Sequence, residues 1–121
     1  MSMNKILILD DDEDIGQMLK MMVEFKGYEA TLINRVDDIY ELLNNDTFDL
    51  LILDMLIAGY NGCDLCTELK NDQQYAPMPI LMFSALPAAE KNALDAGAND
   101  FIAKPFDMNV MLEKINSMLR K

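Results

Sequence analysis

Histidine and tryptophan are absent from the 121 residues, and cysteine occurs only twice. Without an imidazole the chain cannot build a Ser-His-Asp or Cys-His nucleophilic site, ligate zinc or haem through histidine, or carry a phosphohistidine. Base is scarce: 10 Lys and Arg against 21 Asp and Glu give a formal charge of −11. That deficit argues against direct nucleic-acid binding, whose affinity comes largely from neutralising phosphates. Long apolar runs are missing as well. The longest, Ile6–Leu9, Leu50–Leu53 and Ile80–Phe83, are of strand length, far below the ~20 residues of a membrane-spanning helix. No secretory signal pattern opens the sequence. Cys63 and Cys66 are too few for a disulfide framework and suit a reducing cytoplasm.

What is present is apolar and rhythmic. The sequence is 51% hydrophobic, and its length is that of one domain able to bury roughly two-thirds of its unfolded surface. Apolar runs at Lys5–Leu9, Glu29–Ile33, Phe48–Leu53, Pro79–Phe83 and Asp100–Ala103 read as strands. The first, third and fourth are bare of charge, as central strands covered on both faces are. Helical spacing fills the gaps, over Glu13–Lys26, Val36–Asn44, Cys63–Asn71, Ala88–Ala96 and Met108–Leu119. Gly27 is placed to end the first helix, and Met108, Met111, Leu112 and Ile115 are expected to face inward on the last. The alternation predicts an α/β fold, (βα)5, with a doubly wound parallel sheet. No linker or repeat divides it, so residues 1–121 read as a single domain.

The polar residues gather at one edge of that frame. Asp10, Asp11 and Asp12 follow the first strand, Asp54 ends the third, Ser84 the fourth and Lys104 the fifth. All lie at carboxyl ends of strands, where open α/β sheets bind their ligands. Carboxylates within ~4 Å of one another repel by about 4 kcal/mol per pair at an effective dielectric near 20, so such a cluster protonates or holds a cation. Hard oxygen donors without imidazole or thiolate select Mg²⁺, with Mn²⁺ and Ca²⁺ less favoured. With a Lys104 ammonium and a Ser84 hydroxyl facing the same carboxylate, Asp54 becomes a candidate nucleophile and acyl-phosphate carrier.

Four segments in order resemble a known pattern: Ile6-Leu7-Ile8-Leu9-Asp10-Asp11-Asp12; Leu50-Leu51-Ile52-Leu53-Asp54 with Gly62 eight residues on; Ile80-Leu81-Met82-Phe83-Ser84-Ala85; and Asp100-Phe101-Ile102-Ala103-Lys104-Pro105-Phe106. Over essentially its whole length the chain resembles a two-component response-regulator receiver domain. The resemblance implies strand order 2-1-3-4-5, and a phosphorylation switch in which Asp54 accepts a phosphoryl group from a histidine kinase or histidine phosphotransfer protein. It implies Mg²⁺, or Mn²⁺ in its place, on Asp10, Asp11, Asp54 and the backbone carbonyl of Leu56. Ser84 and Lys104 match the family's hydroxyl and lysine, Phe101 its switching aromatic, and Pro105 a cis peptide. Ile15 and Met21 on the first helix are expected to point outward for kinase docking, while Met18, Leu19, Met22 and Val23 point in. The helix 4, strand 5, helix 5 face is expected to meet a downstream protein. No effector domain, nucleic acid or membrane is implied for the sequence given. Two departures stand out: Ala58 replaces the usual proline after the acceptor, and the stretch from Ser84 to Lys104 is short, which touches the output face.

Other readings compete. An acidic run is commonly a helix cap, and Asp12 is read as one. Cys63 and Cys66 match C-x-x-C redox spacing but sit at ordinary core positions of a helix. The 11 methionines read chiefly as core filling. A flavodoxin-like cofactor binder needs a Gly/Ser/Thr cradle where five acids stand, and a haloacid-dehalogenase-type phosphatase needs an Asp where Leu56 stands. A degenerate receiver serving only as an interaction module is the remaining alternative.

Overall fold

A computed structural model describes residues 4–57 and 60–119. Its elements alternate as β1 (Lys5–Leu9), α1 (Glu13–Phe25), β2 (Glu29–Ile33), α2 (Ile39–Asn45), β3 (Leu50–Asp54), α3 (Gly62–Lys70), β4 (Ile80–Ser84), α4 (Glu90–Asp95), β5 (Asp100–Ala103) and α5 (Met108–Leu119). All five strands pair in parallel, in the order β2-β1-β3-β4-β5. This is the doubly wound (βα)5 sheet expected from the alternation.

Side chains alternate across the sheet and divide the core into two layers. Leu7, Leu9, Leu51, Leu53, Met82 and Phe101 pack with Ile39, Leu43, Leu65, Leu69 and Ala93 of α2, α3 and α4. Ile6, Ile8, Leu50, Ile52, Leu81, Phe83 and Ile102 pack with Leu19, Val23, Met111 and Ile115 of α1 and α5. Each fully buried Leu or Ile stabilises the fold by about 1.5–3 kcal/mol relative to exposure. Every residue of β3 and of β4 is buried, as is all of β1 except Lys5.

Local signals set the ends. The Asp12 carboxylate accepts from the backbone N–H groups of Asp14 and Ile15, capping α1. Gly27, with φ +93°, takes the left-handed conformation just past its C-terminus. Asn61 caps α3 by accepting from Cys63 N at 2.8 Å.

Several expectations are corrected. β3 begins at Leu50 rather than Phe48, and β4 at Ile80 rather than Pro79, since proline has no N–H for a ladder. The second and fourth helices open as single 3₁₀ turns, Val36–Asp38 and Pro87–Ala89, before turning α-helical. A short antiparallel hairpin pairs Leu56–Ile57 with Tyr60–Asn61, in a stretch too brief to show any alternation. Ala58, the residue in place of the usual proline, lies outside the described residues.

The outer face of α1 differs most. Met21 is exposed, but Met18 is exposed too, while Ile15 is half-buried against the α1/α5 core layer. Met18, Met21 and Phe25 follow i, i+3 and i+7 spacing, one stripe around from buried Leu19, Met22 and Val23. Met108, expected to face inward, is half-exposed at the first turn of α5 and lines one groove with Met18, Met21 and Phe25. Among the described methionines, Met22, Met55, Met78, Met82 and Met111 are the buried ones.

Candidate functional site

The carboxyl ends of β1, β3, β4 and β5 meet at one edge of the sheet. Asp10 and Asp54 are buried there, and Asp11 is exposed beside them. One carboxylate oxygen from each of Asp10, Asp11 and Asp54 can be chosen so that all three lie within 4.8 Å of one another. Parallel register brings Asp10 and Asp54 together, because Leu9 pairs with Leu53 and each acid follows its leucine.

Asp10 and Asp54 are each tied to the backbone near them. Asp10 Oδ1 accepts from Asp12 N at 2.9 Å, and Asp54 Oδ1 accepts from Leu56 N at 3.2 Å. Lys104 Nζ reaches Asp54 Oδ2 at 3.4 Å with both side chains largely buried. The ammonium also lies 4.5 Å from the centre of the Phe83 ring, which holds the long side chain over the pocket. Ser84 is buried at the end of β4 and its Oγ accepts from Leu86 N at 3.1 Å. Lys104 N donates to Ser84 O at 2.7 Å, binding the ends of β4 and β5 together. The Lys104–Pro105 peptide is cis.

These residues suit a hard cation. Among the described residues, Asp10 Oδ2 is the one buried side-chain polar atom without a hydrogen-bond partner. Burial, reinforced by the neighbouring Asp54 charge, pushes the Asp10 carboxyl up to about 7. At an effective dielectric near 20, carboxylates this close repel by about 3–4 kcal/mol per pair. With all three carboxylates ionised, they and one ammonium would sum to −2, the complement of a divalent ion. The orphaned oxygen, the all-oxygen donors and this charge fit Mg²⁺ chemistry.

A model of the response regulator receiver domain matches residues 6–116, and the chain belongs to that family. Among curated proteins it is 29% identical over 119 residues to the response regulator ArlR of Staphylococcus saprophyticus, covering 98% of this chain and 54% of that protein. It is 33% identical over 123 residues to the DNA-binding dual master transcriptional regulator RpaA of Synechocystis, covering 98% and 50%. The chain thus spans about half the length of the curated relatives it matches. A solved structure of a candidate response regulator from Chloroflexus aurantiacus superposes with a TM-score of 0.93 at 28% identity, covering 99% of this chain and all of that one. The chain is a receiver domain, a phosphorylation-dependent signalling module of two-component systems. Asp10, Asp11, Asp54, Ser84 and Lys104 all converge, so a purely degenerate module is not favoured.

The remaining residues named from sequence divide. Phe101 is buried in the α2/α3/α4 layer beside Ala89 and Ala93. Leu56 adjoins Asp54 through its amide. Cys66 is fully buried, and burial raises its thiol to about 11 and that of Cys63 in the same direction. Thiolates are therefore disfavoured, against a redox role. Sequence reasoning missed the Phe83 ring under Lys104, and a contact of Glu68 with Tyr40 and Tyr60. Residues so far apart carry no local signal of meeting. No helix among the described residues is long and apolar enough to cross a membrane.

Proposed function

We propose that Asp54 is the phosphoacceptor of a cytoplasmic switch, taking a phosphoryl group from a phosphohistidine on a histidine kinase or histidine phosphotransfer protein. The observation that carries this reading is the buried Asp54 carboxylate, with Lys104 at 3.4 Å on one oxygen and the orphaned Asp10 oxygen close by. Mg²⁺ is the cation assigned to Asp10, Asp11, Asp54 and the Leu56 carbonyl, with Mn²⁺ able to replace it. When bound it neutralises developing charge on the phosphoryl oxygens.

The protein's own groups do the rest. An Asp54 oxygen forms the new bond to phosphorus while the phosphorus–nitrogen bond of the donor breaks and the imidazole leaves with its electron pair. Lys104 supplies positive charge beside the transferred group, and Ser84 a hydroxyl at the end of the adjacent strand. The acyl phosphate carries about two negative charges where the Asp54 carboxylate carried one, and these bias Lys104, Ser84 and the loop from Ser84 to Ala89. Phe101, buried behind that loop, is the aromatic whose repacking carries the change to the α4–β5–α5 face. Exposed Leu94 and Val110 on that face are available to a downstream protein.

Acetyl phosphate with Mg²⁺ tests the assignment by intact mass. The wild type gains one phosphoryl group and Asp54→Asn gains none; an adduct persisting in the variant, or no adduct in the wild type, refutes it.

Kinase docking is assigned to α1, as in the family, with its hot spots at Met21 and, from its exposure, Met18. Ile15, half-buried, contributes at the rim. Met21→Asp should slow phosphotransfer from the cognate kinase by about tenfold relative to uptake from acetyl phosphate, the scale of one lost hot spot. Equal ratios for variant and wild type count against this face.

A further inference from the structure

Glu68 stands on α3, exposed and remote in sequence from every residue of the acidic pocket. Its two carboxylate oxygens are nonetheless both engaged. Tyr60 Oη donates to Oε2 at 2.6 Å and Tyr40 Oη donates to Oε1 at 2.9 Å. Both tyrosines feel the carboxylate: Tyr60 is pushed up to about 12, chiefly by its bond to Glu68. Burial comes first in raising Tyr40, whose bond to Glu68 adds to it. Glu68 in turn is held below the usual carboxylate range by Tyr60 first and Tyr40 second.

The two hydroxyls belong to very different parts of the fold. Tyr40 is on α2, and its ring packs at 6.2 Å and 57° against Tyr75, which is buried and bonds Asn44. That side is a fixed post. Tyr60 belongs to the short hairpin, paired with Ile57, while its neighbour Asn61 pairs with Leu56. Leu56 is the residue whose amide lies on Asp54 Oδ1. A continuous route therefore runs from α2 through Glu68 and Tyr60 to the backbone against the acceptor carboxylate.

We infer that Glu68 is a positioning residue for phosphoryl acceptance, acting through Tyr60 to hold the Leu56 backbone against Asp54. This rests on the reading of Asp54 as the acceptor. A hairpin of two-residue strands has little stability of its own, so a side-chain tie to packed helices decides how well Leu56 is placed. With acetyl phosphate as donor, a bond forms from Asp54 oxygen to phosphorus and the phosphorus–oxygen bond to the acetyl group breaks, acetate departing with the electron pair. Neither Glu68 nor the tyrosines touch the reacting atoms; they keep Leu56 where Asp54 needs it.

The test uses the full chain as wild type, Glu68→Ala, Glu68→Gln, Tyr60→Phe and Tyr40→Phe. The first readout, taken without metal, is amide hydrogen exchange at Leu56, compared with Leu7 in the central strand β1. Glu68→Ala and Tyr60→Phe should speed exchange at Leu56 by about fivefold, with Leu7 unchanged, as for a local opening. The second readout is uptake from acetyl phosphate with Mg²⁺, which the same two variants should slow by about threefold. Glu68→Gln should restore both readouts to within about twofold, because its amide oxygen accepts from one hydroxyl and its NH₂ donates to the other. Tyr40→Phe, which leaves the hairpin bond in place, should have the smaller effect. Unchanged Leu56 exchange in Glu68→Ala, or equal acceleration at Leu7, overturns the inference. If the wild type takes up no phosphate, the acceptor assignment fails instead, and the exchange comparison still decides whether Glu68 holds Leu56.

Discussion

Gly62→Ala is expected to lower the thermal midpoint by roughly 10 °C, corresponding to about 2–4 kcal/mol in a domain of this size. Gly62 opens α3 and donates its N–H to Met55 O at 2.7 Å, so helix and strand end approach closely. A Cβ there would stand 2.7 Å from Asp54 O, 2.9 Å from Met55 Cα and 3.0 Å from Met55 O. All three are backbone atoms, which no rotamer change can withdraw. Relief requires α3 to move away from β3, displacing the main chain that carries Asp54. Gly27→Ala is the matched comparison. Unlike Gly62→Ala it forces alanine into a positive φ, but nothing lies within 4 Å of the added carbon, and its cost is about 1–2 kcal/mol. Thermal melts of the two variants decide the matter, and a midpoint for Gly62→Ala no lower than that of Gly27→Ala would show that the crowding is absorbed.

The second large effect concerns how long the acyl phosphate lasts. Leu56 and Leu86 are both more than half exposed, at 57% and 56%, although both are apolar. Each is tied to the pocket by its backbone N–H, Leu56 to Asp54 Oδ1 and Leu86 to Ser84 Oγ. In receivers these positions flank the path of the water that hydrolyses the phosphoryl group. Leucine can neither donate nor accept a hydrogen bond to orient that water. The double variant Leu56→Asn, Leu86→Glu should therefore lose phosphate at least about tenfold faster than wild type, a fraction of the roughly 10²–10⁴-fold that a fully positioned acid–base group contributes. Phosphate release without kinase or phosphatase measures it. Equal rates, or a slower variant, would assign control of the lifetime elsewhere.

The sheet and its reactive edge were legible because both rest on short-range regularities. Charge-free runs such as Ile6–Leu9 and Leu50–Leu53 have no stable place except between two layers of helices. Once they are strands, Asp10, Asp54, Ser84 and Lys104 fall at their carboxyl ends by counting. The exposure of Met18 and Met108 could not be counted out in the same way. Both sit at the margin of an apolar stripe, where a small rotation of α1 against α5 decides between core and surface. The hairpin after Asp54 and the Glu68 contacts were hidden for a different reason. They depend on groups from α2, the hairpin and α3 meeting in space, and no spacing in the sequence records that.

The division of the core by the sheet has a consequence for how this domain can vary. Phe101 and Ala89 belong to the layer under α2, α3 and α4, whereas Phe83, Ile102 and the buried faces of α1 and α5 belong to the other. A rearrangement around Phe101 therefore disturbs one layer and leaves the opposite one standing. A substitution such as Ile115→Val is therefore expected to alter how firmly the molecule holds together, with little leverage on the packing around Phe101. Changes in opposite layers, far enough apart to share no partners, combine additively.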